Sequence, residues 1–322
     1  MRRKRSSEPE TGRPEISVVI VAGNHRRRAR RAIDSILDQE SDGRFELIVM
    51  DMAEPSRAEP LEIGDARAKR LSVPTWATFG AARAAAVEAA VGPVVAFLEE
   101  HCVAMPGWIH ALVQAHRGPW AGVGAEVHNG NPGVGWSDAI YLMGYSTWIP
   151  PAKRGEAPLT ATHNTSYKTD LLRDFGDRLP ELLTAEPILQ QELRKRGLRL
   201  FVEPEARFQH ENETSLGSSS VLYWWNRSLG RIRAVNDHWS RLKKLAYVLL
   251  LPLVPWRRLA RLSLYFFRFR RRGLWSLIRQ APRIWLLDLI ATTGLAIGMI
   301  WGTTSDDMRF SDLELRSVRE ER

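Results

Sequence analysis

The chain has 322 residues, 44% of them apolar and 26% charged, which excludes disorder as its main theme and leaves room for one large α/β domain or two unequal ones. Lys plus Arg is 46 against 37 for Asp plus Glu, a net charge of +9 that points to an anionic partner: a phosphorylated ligand, an anionic membrane or a nucleic acid. The single cysteine, Cys102, excludes an internal disulfide framework and a zinc site built on two thiolates.

Residues 1–14 read as a basic and polar tail. MRRKR could open a secretory signal, but no apolar core follows it, so the start of the chain is expected to stay in the cytosol. Ile16 to Ala22 (ISVVIVA) is a β-branched run without alternation, the mark of a buried parallel strand. From Arg27 to Gln39 the apolar positions Ala29, Ala32, Ile33, Ile36 and Leu37 fall at helical spacing. Phe45 to Met50 (FELIVM) is a second buried strand ending at Asp51, which completes a βαβ unit. Gly80 to Ala90 reads as a small-residue helix and Val94 to Leu98 as a third internal strand, with Glu99-Glu100-His101 at its carboxyl end. Ligands of open α/β sheets bind at that edge, so Asp51 and the Glu-Glu-His cluster are candidate site residues.

A helix is expected after Met105-Pro106-Gly107-Trp108 to about His116, a strand from Trp120 to Val127, and an irregular Gly/Pro-rich stretch over 128–160. Thr165 to Leu172 leads into a short helix, and Ala185 to Arg196 is amphipathic and stopped by Gly197. Leu198 to Val202 and Ala206 to His210 read as two short strands.

The charge is concentrated late in the chain. Twelve Lys/Arg lie between Arg241 and Leu287, with no acid until Asp288, and seven of the twelve tryptophans fall from Trp224 onward. Cations interleaved with AYVLLLPLVPW and LYFF suit a membrane interface, where they meet anionic headgroups and the indoles sit at the boundary. Ile284 to Gly302 is an apolar stretch of 19 residues with the single charge Asp288. Interfacial or re-entrant attachment is the expectation, with a true span and a soluble helical cap as the other readings.

Four segments, in order, resemble family 2 glycosyltransferases of the GT-A fold over residues 15–215: ISVVIVAGNHRRRARRAIDSILDQ, FELIVMDMAEP, GAARAAAVEAAVGPVVAFLEEHCVAMPGW and AEPILQQELRKRGLRLFVEPEARFQHEN. The resemblance extends to a bacterial subgroup with Glu-Glu-His in place of the D-x-D motif. It implies a Rossmann-like α/β domain with a mostly parallel sheet that binds a nucleotide-sugar, followed over 216–322 by a helical, basic, membrane-associating region. By position, Asp51 would hold the nucleotide base, Glu99 and Glu100 would contact ribose and metal, His101 would be a metal ligand, and His210 the late histidine that completes the metal site. A divalent cation, Mn2+ or Mg2+, would neutralise the leaving diphosphate, and two imidazoles favour Mn2+. Arg83 aligns with an arginine that faces the diphosphate, and Asn164 lies in a loop that closes over donor or acceptor. Trp108 reads as packing.

An inverting transfer needs a carboxylate to take the acceptor proton. The family's base stands about eleven residues before a glycine, which selects Glu186 ahead of Gly197, with Glu181 as the fallback. The implied partners are a nucleotide-sugar donor (UDP-linked by expectation), a glycan or lipid-linked acceptor and the membrane surface, with no nucleic acid. The implied place is the cytosolic face of the inner membrane. The competing reading is a catalytically degenerate binding protein that keeps the fold at the membrane. It rests on the Glu-Glu-His departure and on Pro187 standing where the family has an acid after Glu186.

Overall fold

The computed structural model describes residues 12–40, 44–74 and 76–316, so most of the expected basic tail, residues 1–11, lies outside the described residues. Among these, nine strands form one sheet: β1 (Ile16–Ala22), β2 (Phe45–Asp51), β3 (Ala68–Ser72), β4 (Val94–Phe97), β5 (Cys102–Ala104), β6 (Gly122–Asn129), β7 (Gly155–Ala157), β8 (Thr165–Lys168) and β9 (Leu200–His210). Their spatial order is β3-β2-β1-β4-β8-β6-β9-β5, with β7 also on β9.

The sheet is mixed, which corrects the expectation of a mostly parallel one. β3, β2, β1 and β4 run parallel, as β6 and β9 do, but β8 is antiparallel to both β4 and β6, and β5 and β7 are antiparallel to β9. The antiparallel members are strands of three or four residues without an apolar run to announce them. β3 (AKRLS) pairs only at the sheet's edge and has no fully buried residue, so its pattern is not that of a core strand. The two short strands expected within 198–210 are one strand, β9.

Helices α1 (Arg26–Leu37), α2 (Phe79–Ala89) and α3 (Trp108–His116) stand where the periodicity places them. Side chains alternate across β1 and β2: Val18, Ile20, Leu47 and Val49 pack with α1 and α3, while Val19, Val21, Ile48 and Met50 pack with α2. Trp108 is buried in the α1/α3 layer, as packing requires. The stretch 128–160 is not wholly irregular, since it holds α4 (Gly135–Tyr145) and β7. Then come α5 (Thr169–Arg173), α6 (Leu179–Thr184) and α7 (Glu186–Lys195), the last ended by Gly197 at φ 78.

The rest of the described chain is helical: α8 (Ser219–Asn236), α9 (Arg241–Leu250), α10 (Val254–Phe269), α11 (Leu274–Trp301) and α12 (Ser305–Ser311), closed by a π-turn at Asp312–Arg316. α11 is the one helix among the described residues long and apolar enough to cross a membrane, by length and composition. It lies against α8 so closely that a Cβ on Gly298 would meet the Arg227 carbonyl at 1.9 Å, and one on Gly230 the Leu295 carbonyl at 2.1 Å. Leu287, Ala291, Leu295 and Met299 of α11 are buried, and Asp288 is paired with Arg258 of α10 at 2.9 Å. By contrast, α9, α10 and the start of α11 leave Leu242, Leu249, Trp256, Leu264, Phe269 and Trp275 each at least 60% exposed among arginines and lysines.

Candidate functional site

The carboxyl ends of β1, β2 and β4 meet at one edge of the sheet and bring Gly23-Asn24, Asp51 and Glu99-Glu100-His101 together. Asp51 ends β2 and takes two hydrogen bonds from Arg26, at 2.8 and 3.0 Å, with Arg70 of β3 a further 3.5 Å contact.

The two glutamates diverge. Glu100 is buried and accepts the Gly23 amide at 2.7 Å, while its other oxygen has no partner. Burial pushes its carboxyl up to about 8, so it holds its proton at neutral pH. It faces the backbone of β1, so of the expected Glu99–Glu100 pair only Glu99 stands in the histidine cluster.

Glu99 joins a histidine cluster. The antiparallel ladder of β5 and β9 sets Cys102 opposite His210, which carries His101, one residue before, to His210. The two Nε2 atoms stand 3.0 Å apart, and a Glu99 oxygen lies 3.6 Å from that of His210 and 3.8 Å from that of His101. Burial alone would raise the Glu99 pKa, but His101, His163 and His210 around it hold it well below the usual carboxylate range. Burial pulls His101 well below its ordinary value, so it is neutral at pH 7.

Asn164 fixes Glu99 from behind. Its side-chain amide donates to Glu99 at 2.6 Å, and its carbonyl oxygen accepts the Glu99 backbone amide at 2.9 Å. His163, at φ 69, adds a 3.1 Å contact through Nδ1.

This donor set fits a divalent ion. Ligand atoms held about 2.1 Å from one ion lie roughly 3 to 3.5 Å apart, against 3.0, 3.6 and 3.8 Å among Glu99, His101 and His210 here. Carboxylate, imidazole and thiol atoms of Glu99, His101, His210 and Cys102 all lie within 4.8 Å of one another. The Nδ1 atoms of both histidines are buried without a hydrogen-bond partner. Two imidazoles and a carboxylate suit Mn2+ better than Mg2+. Cys102 is fully buried, and burial holds its thiol well above its ordinary pKa, so it stays protonated.

Glu186 and Arg83 are not at the open edge. Glu186 opens α7, is 0% exposed, and accepts from Arg83 at 3.0 Å, the His163 amide at 2.7 Å and the Tyr167 hydroxyl at 2.5 Å. Arg83 is 1% exposed, lies over the Phe97 ring at 3.9 Å and donates to the Leu183 carbonyl at 2.8 Å. Glu186, expected to meet an acceptor, and Arg83, expected to face a diphosphate, are here bonded to each other. The pair sits one layer behind the site and braces the turn carrying His163 and Asn164. Glu181, the fallback, is taken by Arg231 at 2.8 Å.

The sequence reading missed the role of the chain's last described segment. Leu315 O accepts the Asn24 amide at 2.7 Å, Arg316 O accepts the Asn24 side chain at 2.8 Å, and Arg316 Nε donates to Met52 O at 3.4 Å. Ser311 accepts the Phe79 amide at the start of α2, at 2.8 Å, and a Glu314 oxygen stands 3.5 Å from His101 Nδ1. The edge where Asp51 ends is thus covered by residues 311–316. The histidine cluster opens instead into a cavity of about 260 Å³ walled by Tyr145, Trp148, Trp225 and Phe310.

Residues 17–176 match the model of the family described as Glycosyl transferase family 2. The fold and this match support a glycosyltransferase, with the family 2 domain over residues 17–176. No protein of curated function matches it by sequence. Among solved structures it is similar to the mannosyltransferase PcManGT from Pyrobaculum calidifontis in complex with GDP-Man and Mn2+, at a TM-score of 0.53 and 14% identity over 90% of this chain and 88% of that one. GalNAc-T7 with UDP, GalNAc and Mn2+ aligns with a TM-score of 0.49 and 17% identity over 69% of this chain, which spans 48% of that one.

Proposed function

We propose that the chain is an inverting transferase of the bacterial Glu-Glu-His subgroup. On this reading it moves a sugar from a nucleotide-diphosphate donor, UDP-linked by first expectation, to a lipid-linked or envelope glycan acceptor at the cytosolic face of the inner membrane. The observation that carries the reading is the cluster of Glu99 and His101, at the carboxyl end of β4 inside the matched family 2 domain, with His210 beyond it. The Pyrobaculum enzyme of the same fold holds GDP-Man and Mn2+, which supports the same ligand classes here.

In this reading Asp51 takes the base once Arg26 and Arg70 give way, and Glu99, His101 and His210 hold the cation. Bound there, a divalent cation supplies charge neutralisation for the departing diphosphate. Asn164 and His163 keep Glu99 ionised and aimed, and Glu186 with Arg83 keeps that turn in place. The acceptor proton goes to a carboxylate on the cavity wall, Glu213. Residues 15–215 form the catalytic unit and 216–322 the membrane-facing one, where exposed leucines and tryptophans among cations enter the interface.

The covered donor edge favours a second reading, a binding protein in which the family's chemistry is silent. Thermal unfolding with UDP, GDP, dTDP and CMP, each with and without Mn2+, separates the two. A shift by one nucleotide that needs Mn2+ and disappears in His101→Ala supports the transferase. No shift in folded protein supports the binding protein.

A further inference from the structure

A second cavity, of about 500 Å³, lies behind the histidine cavity, between α4, α8, α10 and α11. Three arginines line it: Arg233 from α8, and Arg258 and Arg261 from α10. Its one acid is Asp288, already paired with Arg258 at 2.9 Å. Among the described residues neither Arg233 nor Arg261 forms an ion pair, and Arg233 is half-buried. Burial pulls the Arg233 guanidinium below its ordinary pKa, with Tyr247 and Asp237 opposing the effect and Arg258 adding to it. Three guanidiniums facing one carboxylate leave an excess of positive charge in a partly dry site. Arg258 and Arg261 are exposed on α10, so the site opens to solvent on that side, while Arg233 closes it from α8.

The cavity has two neighbours. It shares Met143, Gly144, Leu222 and Trp225 with the histidine cavity. It shares Thr147, Arg261 and Tyr265 with a groove of about 1130 Å³ whose walls combine Ile149, Pro151, Leu159, Phe266 and Phe269 with Lys153, Arg154, Arg270, Arg271 and Arg272. The order across the protein is a groove of apolar and cationic side chains, three arginines, histidine cluster. That is the order of hydrocarbon, phosphate and reacting head in a phosphorylated amphiphile.

We propose that Arg233, Arg258 and Arg261 form a phosphate site for the acceptor, with its hydrocarbon chain in the Phe266–Phe269 groove and its polar head directed to the Glu99–His101–His210 cluster. Guanidinium groups offer paired donors that match phosphate oxygens. The proposal rests on the transferase reading for the word acceptor, while the phosphate site is testable apart from it.

The test measures binding of dodecyl phosphate to the full chain in a non-ionic detergent by calorimetry, beside dodecanol, inorganic phosphate and phosphatidylglycerol vesicles. Dodecyl phosphate is expected to bind at least tenfold more tightly than dodecanol or inorganic phosphate. Arg233→Gln and Arg261→Gln are each expected to weaken it at least tenfold, with vesicle binding and the nucleotide-dependent thermal shift unchanged. Arg261 is exposed on α10, so its variant carries the test if Arg233→Gln does not fold. Unchanged dodecyl phosphate binding in folded Arg261→Gln overturns the site. Inorganic phosphate binding as tightly as dodecyl phosphate overturns the lipid part. Vesicle binding lost in step with dodecyl phosphate makes the arginines a headgroup contact and overturns the acceptor role. If no nucleotide binds while the arginine variants still lose dodecyl phosphate, the phosphate site stands and the transferase reading fails.

Discussion

The backbone carbonyl of Leu315 accepts the amide of Asn24 at 2.7 Å, so the end of the described chain is hydrogen-bonded to the mouth of the first strand. A Cβ on Gly23 would stand 2.0 Å from that carbonyl, so the two backbones are in direct contact. In the proposed reading the nucleotide base needs the same edge beside Asp51. Segment and donor therefore compete.

A chain that stops at Asp312 separates the two consequences. It keeps α12 and the ion pairs of Asp306 and Asp307 with Arg227 and Arg231. It loses the buried Leu315 side chain, worth about 2–3 kcal/mol. The expected outcome is a lower unfolding midpoint together with nucleotide affinity raised about tenfold or more, because the donor no longer displaces the segment. A fall in both stability and affinity would show that residues 313–316 complete the donor site.

Glu186 and Arg83 are a buried pair, and removing one partner of such a pair costs about 3–5 kcal/mol. Glu186→Gln and Arg83→Met are each expected to lose stability in that range, and the double variant to lose much less than their sum, measured by urea unfolding. Turnover in Glu186→Gln is expected to fall only as far as the His163–Asn164 turn loosens. A variant with wild-type stability, intact nucleotide binding and no turnover would restore Glu186 as the base.

The central parallel strands and their helices were legible because burial on both faces leaves continuous apolar runs, as in ISVVIVA and FELIVM. The Glu99–His101 end of β4 followed from the same run. His210 was legible only through the resemblance, since its meeting with His101 depends on an antiparallel ladder between strands far apart in sequence. Glu186 was placed correctly at a helix start, but periodicity cannot say that Tyr167 and Arg83 close over it. The cover by residues 311–316 left no local mark, because the Leu315 and Arg316 carbonyls are groups any sequence offers and the side chains of Ser311, Glu314 and Arg316 meet partners far away in sequence.

His116 links stability to pH away from the site. It ends α3, is buried, and meets Ser166 Oγ at 2.9 Å. Burial lowers its pKa from 6.5 to about 3 in the fold. The unfolded chain therefore takes the proton first. The stabilising effect is complete above about pH 6.5 and is lost toward pH 3, at about 1.4 kcal/mol per unit. His116→Gln can keep a donor to Ser166 and removes the titration. Wild type is expected to lose about 2 kcal/mol relative to this variant between pH 7.5 and pH 5 in urea unfolding. A stability difference between the two that does not move with pH would place the proton elsewhere.

Asn164 provides the sharpest separation of metal geometry from fold. Its amide and carbonyl both engage Glu99, at 2.6 and 2.9 Å, so it holds the carboxylate toward the two imidazoles without being a candidate ligand itself. Groups that orient a ligand in this way typically carry about 10–100-fold in metal affinity. Asn164→Ala is expected to weaken Mn2+ binding by that factor in a direct titration of the full chain. His101→Ala and His210→Ala are expected to weaken it further, each by removing a donor. The unfolding midpoint without metal is expected to fall by only a few degrees in Asn164→Ala, because Glu99 keeps the His163 contact. If Asn164→Ala binds Mn2+ as wild type does while His101→Ala does not, Asn164 does not orient the site, and the His163 contact alone holds Glu99 in place.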